Sequence, residues 1–335
     1  MKNKITVIGA GSWGTALAQV LCDNGQDVTI YAIEEDVVED ININHKNSKF
    51  FDDVLLPENL HATSNLDEAL KETAFILLVV PTKVIRGVLA QINAAITSPV
   101  TIINASKGIE PGTYKRVSEV ASEEMDADKL ASFVALSGPS HAEEVIVRQI
   151  TSVTCAADEE ASLPIVQNLF KTDYFRVYRT PDLLGVELGG SIKNVIALAS
   201  GVLAGLGYGD NTRALLITRG LAEMKRMGVA LGAREETFSG LSGIGDLIVT
   251  ATSQHSRNFQ AGYKIGSGSN LQESLDSMTM VVEGVRTCQA TYELAKKMNI
   301  EMPIVETLYE VIFNKLEPRT AIATLMKRAM KDESQ

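Results

Sequence analysis

The chain has few of the residues that build stapled, metal-holding or membrane-spanning proteins. Its three cysteines, Cys22, Cys155 and Cys288, stand far apart in 335 residues. Their odd number and wide spacing exclude a disulfide framework and suit reduced thiols in the cytoplasm. The four histidines, His45, His61, His141 and His255, include no pair with each other or with cysteine at metal-ligand spacing, so no metal is expected. The most apolar stretch, 195–206, falls short of the roughly 20 residues that cross a bilayer and reads as a buried helix, with no membrane insertion expected. The start runs straight into a strand pattern without the apolar core of an export signal. Basic residues are in the minority, 31 against 42 acidic ones, and the net charge of −11 disfavours nucleic acid and anionic membranes as partners. An anionic ligand would need a locally basic pocket. There is no G-x-x-x-x-G-K-[ST] phosphate loop, and Gly138-Pro-Ser-His-Ala142 lacks the closing glycine of a nucleophile elbow. ATPase and hydrolase chemistry are therefore disfavoured.

What remains is an ordinary folded composition, 45% hydrophobic and 22% charged, long enough for about two domains. Short β-branched runs recur at 5–8, 28–31, 75–80, 100–104, 133–136 and 151–155, separated by helix-like segments, and the texture changes after Phe175-Arg-Val-Tyr178. Continuous apolar runs such as Ile76-Leu-Leu-Val-Val80 indicate parallel strands buried on both faces. After them Thr180-Pro181-Asp182 supplies an N-cap, a first-turn proline and an acidic first turn. Beyond that point Ala214, Ile217, Leu221 and Met224 keep helical spacing, as do 281–298 and 303–313. Glycine-rich loops are expected at 239–245 and 266–268. The expected fold class is α/β: an N-terminal Rossmann-like, doubly wound parallel sheet over 1–180, then an all-α C-terminal domain over 181–335.

Gly9-Ala-Gly11-Ser-Trp-Gly14 is a G-x-G-x-x-G run placed between the first strand and a helix. There Gly9 permits the tight turn, Gly11 lets the backbone approach a pyrophosphate and Gly14 lets helix and strand pack closely. Glu34, 20 residues after Gly14, can accept hydrogen bonds from an adenosine ribose, or simply start a helix. Ile33-Glu34 offers no cation for a 2′-phosphate, which leans towards NAD over NADP. Lys107 and Gly138-Pro-Ser140 follow strands and project from the carboxyl end of the sheet, where open α/β folds bind ligands. Lys107 reads equally as a solvated loop lysine. Lys193 lies in the small, apolar Gly189-Gly-Ser-Ile-Lys-Asn-Val-Ile-Ala-Leu-Ala199, where burial and a second cation would lower its pKa and make a usable acid or base. The alternative is a lysine snorkelling from a helix end. Asp246 and Ser256-Arg257-Asn258 suit a small polar anion, although Asp246 and Ser256 also suit helix caps.

Taken in order, 7–17, Ser106-Lys-Gly108, Ser137-Gly-Pro139, 189–195, Thr218-Arg-Gly-Leu-Ala-Glu-Met224, Ser256-Arg-Asn258 and Val282-Glu-Gly284 resemble the bacterial-type NAD(P)-dependent glycerol-3-phosphate dehydrogenases across almost the whole chain. The resemblance implies reversible reduction of dihydroxyacetone phosphate to sn-glycerol 3-phosphate for phospholipid synthesis, with substrate between the domains. It implies Lys193 as proton acceptor from the alcohol, with Lys107, Gly138, Ser140, Asp246, Ser256, Arg257 and Asn258 as substrate companions. Ser12, Trp13, Lys107, Ala142, Arg257, Val281 and Glu283 are the implied cofactor contacts, and a homodimer is the implied assembly. Where many members carry a basic residue or histidine after the second strand, this chain has Ala32-Ile33-Glu34. Two rival readings stay open: another dehydrogenase of a small phosphorylated hydroxy compound, and a nicotinamide redox sensor without turnover.

Overall fold

The computed structural model describes residues 4–278, 282–330 and 332. Eight strands form one sheet: β1 Lys4–Ile8, β2 Asp27–Tyr31, β3 Leu60–Thr63, β4 Phe75–Leu78, β5 Val100–Asn104, β6 Leu130–Ser137, β7 Thr151–Ala156 and β8 Phe175–Thr180. Their order is β3-β2-β1-β4-β5-β6-β7-β8. The two-residue period of a strand sends alternate side chains to opposite faces. Val7, Leu77 and Ile103 join Leu17 and Val28 in one core, whereas Ile8, Ile76, Leu78 and Ile102 join Ile85, Leu89 and Val120 in another. Both faces are covered by helices, as the unbroken apolar runs require.

Two expectations about the sheet are corrected. β3 has no counterpart in the sequence reading, because it is a four-residue edge strand whose polar His61 faces outward. The sheet is also not wholly parallel: β6 and β7 pair antiparallel, while every other neighbouring pair is parallel. The segment between them stays at one end of the sheet, with only the four-residue helix Ala142–Val145, instead of crossing back over a face.

Beyond β8 the described chain is helical. Asp182, rather than Thr180, caps the helix Leu183–Gly205: its carboxylate accepts from the Gly185 N–H at 2.9 Å, so the proline precedes the cap. This helix begins 12 residues before the apolar stretch picked from sequence and is by length and composition able to cross a membrane. In this fold 89% of its most apolar window is buried inside the protein. The loop expected at 239–245 is instead largely wound, a π-helical turn Leu241–Gly245 leading directly into the helix Asp246–Thr252. The helix Pro303–Phe313 matches the sequence expectation end to end.

A buried carboxylate ties the sheet region to the long helix. Glu187 accepts from Arg116 Nη1 at 2.8 Å, from the Ser118 N–H at 2.9 Å and from Ser118 Oγ at 2.6 Å. Burial raises its pKa, against the pull of Arg116 and Ser118.

Candidate active site

The first turn after β1 is built to receive a phosphate group. Gly9 has φ +112°, and a Cβ there would lie 2.6 Å from the Val79 carbonyl oxygen; a Cβ on Gly14 would lie 1.9 Å from the Gly9 carbonyl oxygen. At Gly11, by contrast, nothing stands within 4 Å of the Cβ position. The turn is thus closed underneath and open above. Gly11 caps the helix Ser12–Asp23 with no side chain on its leading N–H groups, which leaves donors and the positive end of the helix dipole for an anion. Ser12 is buried at the helix start and Trp13 packs half-buried against the core. This cradle fits a dinucleotide pyrophosphate.

At the same end of the sheet, two lysines hold one carboxylate. Lys107, following β5, donates to Asp246 Oδ2 at 2.8 Å and to the Gly138 carbonyl at 3.4 Å. Lys193, in the middle of the helix Leu183–Gly205, donates to Asp246 Oδ1 and to Thr250 Oγ1, the latter at 2.8 Å. Lys193 is 5% exposed and Asp246 1%. The snorkelling alternative for Lys193 therefore fails: its ammonium sits in the interior, on a partner. Burial pushes the Lys193 pKa down to about 7, with Asp246 opposing the shift and Lys107 adding to it. Asp246 experiences the reverse balance, burial raising its pKa and the two cations holding it below the usual carboxylate value.

Two residues not anticipated from sequence complete this centre. Thr250 lies one helical turn after Asp246, donates to the Asp246 carbonyl at 2.6 Å and so turns a lone pair to Lys193. Ser137, the last residue of β6, donates to Asp246 Oδ2 at 3.3 Å. The i,i+4 spacing of Asp246 and Thr250 was a usable signal; Ser137 carried none beyond its place before Gly138.

The remaining predicted residues divide. Gly138 passes close to β7, where a Cβ would meet Val153 Cα at 2.8 Å, and Ser140 Oγ donates to the Gly138 carbonyl at 2.9 Å. Ala142 is buried at the head of its short helix. Ser256 does cap: its Oγ accepts from the Phe259 N–H at 3.3 Å. Asn258 spends its side chain on packing, donating to Asn194 Oδ1 at 2.9 Å and accepting from the Gly284 N–H at 2.8 Å. Arg257 lies near Glu143 and Glu283, with burial pushing its pKa below the arginine norm. Glu283 accepts from the Thr82 N–H at 3.0 Å and is itself raised by burial. Val281 lies outside the described residues. The reading of Glu34 needs a correction: Lys49 donates to its carboxylate at 2.5 Å. Tertiary folding brings a cation to the stretch that seemed to have none. Among the described residues no group of three or more His, Cys, Asp or Glu side chains is placed to hold a metal ion.

The N-terminal and C-terminal halves of the NAD-dependent glycerol-3-phosphate dehydrogenase profile match residues 4–163 and 182–323. The chain belongs to this family. A curated relative from Bacillus cytotoxicus, a glycerol-3-phosphate dehydrogenase [NAD(P)+], is 54% identical over 98% of this chain and 97% of its own. The glycerol-3-phosphate dehydrogenase structure from Coxiella burnetii superposes with a TM-score of 0.92 at 35% identity, covering 98% of this chain and 99% of that one. The Plasmodium falciparum glycerol-3-phosphate dehydrogenase structure gives 0.89 at 25% identity, covering 99% and 97%.

Proposed function

We propose that the chain reversibly reduces dihydroxyacetone phosphate to sn-glycerol 3-phosphate with a nicotinamide cofactor, residues 1–180 holding the cofactor and 181–335 supplying most of the substrate and proton machinery. The observation that carries this reading is the group in which half-buried Lys107 and buried Lys193 share the buried Asp246, at the sheet end that also bears the open Gly11 cradle. Family membership supports it. A nicotinamide cofactor held on the turn 9–14 would supply hydride chemistry at the carbonyl carbon. The protein's part is to orient the ketone, offset negative charge on its oxygen and deliver one proton to it.

Lys193 Nζ gives that proton in reduction and takes it back in oxidation. Lys107, hydrogen-bonded to the same Asp246, lies beside it to stabilise the developing alkoxide. Asp246 keeps the two ammonium groups together, and Thr250 fixes the Lys193 rotamer through its lone pair. The substrate phosphate goes to Arg257 at the start of the helix Arg257–Gly266, where the helix dipole favours an anion. Ser140 and the Gly138 backbone border the same crevice. Remote phosphate binding then aligns the carbonyl. Gly9, Gly11, Ser12, Trp13, Gly14, Glu34, Ala142, Val281 and Glu283 belong to the cofactor side of the proposal, with Glu34 at the ribose. Cytoplasmic location, a role in phospholipid synthesis and a homodimer are part of the same proposal and rest on the family resemblance.

The deciding experiment measures oxidation of NADH and of NADPH by the purified protein with dihydroxyacetone phosphate, with unphosphorylated dihydroxyacetone as control. Phosphate-dependent turnover that is lost in Lys193→Ala is the expected result. Cofactor binding without turnover on either compound would favour the redox-sensor reading.

A further inference from the structure

The helix that carries Asp246 and Thr250 is only seven residues long, Asp246–Thr252. The last four carbonyls of a helix have no intrahelical partner and need other donors. Two of them find side chains from elsewhere in the fold: Ala251 O accepts from Ser200 Oγ at 2.7 Å, and Val249 O is 3.2 Å from His141 Nε2. A carbonyl can only accept, so His141 Nε2 carries the hydrogen, and in the neutral ring Nδ1 is the bare nitrogen.

His141 is well fixed for this task. It stands between Ser140 and Ala142, and its backbone carbonyl accepts from the Glu144 and Val145 N–H groups, both at 3.1 Å. On its other side the ring meets His255 at a centroid distance of 5.8 Å, tilted by 56°. His255 directly precedes Ser256, the cap of the helix Arg257–Gly266. One imidazole therefore links the loop after β6 to two stretches of the helical region, both of which supply residues to the proposed site.

We propose that His141 is a positioning residue, whose N–H to the Val249 carbonyl seats the Asp246–Thr252 helix so that Asp246 and Thr250 hold Lys193 in its working rotamer. This rests on Lys193 acting as the proton donor. The neutral ring suffices for this bond. Burial and Lys193 disfavour the imidazolium, while the Val249 bond, Glu143 and Glu144 favour it, and the net direction of the His141 pKa is downward.

The test compares four variants of the full chain in the dihydroxyacetone phosphate assay. His141→Phe keeps an aromatic ring without the donor, His141→Gln returns an N–H at about the reach of Nε2, and His141→Asn places one too short. Lys193→Ala reports separately on the underlying reading. The expected result is a loss of ~10-fold or more in kcat for Phe and Asn, recovery to within about threefold for Gln, and KM values within about twofold throughout the His141 series, the pattern of a misplaced reacting group. Wild-type kcat in His141→Phe, a Gln variant that folds yet is no better than Asn, or an effect confined to the KM of dihydroxyacetone phosphate would each overturn the proposal. Should the Phe variant fail to fold, the Gln and Asn pair still decides. Full turnover in Lys193→Ala would instead bring down the reading beneath it.

Discussion

At the scale of single residues, the behaviour of the site turns on how far burial can lower the charge affinity of one lysine. With its pKa near 7, Lys193 changes protonation within the working range. Reduction needs the ammonium form and oxidation the amine, so kcat for ketone reduction should fall as pH rises through about 7, and the reverse reaction should rise over the same interval. Initial rates in both directions between mildly acidic and mildly alkaline buffers check the sign. Lys193→Ala should retain cofactor binding and lose roughly 100- to 10,000-fold in turnover, the range for a positioned acid or base, as steady-state kinetics would show. Lys49 poses a second question at this scale. If Glu34 lies at the adenosine ribose, Lys49 is the cation available to a 2′-phosphate, and Lys49→Ala should raise the KM for NADPH more than that for NADH. Equal changes would remove Lys49 from cofactor selection.

At the scale of elements, the helix ends hold the more informative groups. Glu223, buried in the helix Asp210–Ala230, accepts from the N–H groups of Ile304 and Val305 at 2.7 and 3.2 Å and so caps the helix Pro303–Phe313 from across the interface. Burial outweighs these bonds and pushes its pKa up from 4.5 to about 7. The folded state thus binds a proton that the unfolded chain has released. Through this group, stability should decrease as pH rises from about 4.5 to about 7, and Glu223→Gln should flatten that slope in urea titrations run across the interval. The helix Leu183–Gly205 depends on Asp182, whose carboxylate serves Gly185 N at 2.9 Å, Arg234 N at 3.0 Å and Thr237 Oγ1 at 2.5 Å. This single cap locks a helix start and the 234–237 turn together, more than a terminal cap alone.

At the scale of the whole molecule, the site is assembled only when the sheet end and the helical region are docked, because Lys107 comes from one and Lys193 with Asp246 from the other. Glu187 is the buried ionic contact that keeps the segment 116–118 on the long helix. Glu187→Ala strands Arg116 and Ser118, and should cost about 3–5 kcal/mol in chemical denaturation, as breaking a buried pair commonly does. An unchanged unfolding midpoint would mean that the apolar contacts around it carry the docking alone.

Much of this was legible in the chain itself. The cradle could be read because all its requirements are local: a strand, three glycines at set spacing and a helix follow one another within 14 residues. Lys193 stood out because an ammonium in an otherwise small, apolar helix conflicts with the cost of burying charge. The start of the long helix was legible to within two residues, because Thr180-Pro181-Asp182 carries a local cap signal, and the structure moves the cap from Thr180 to Asp182. Tertiary structure alone decided the rest. Asp246 meets Lys193 across 53 positions and Lys107 across 139, and His141 meets Val249 across 108. Nothing in local propensity encodes such pairings. They arise when packing removes water and leaves each buried polar group to the partner within reach, which is also why an Asp246 that could have been a plain helix cap became the hub of the site.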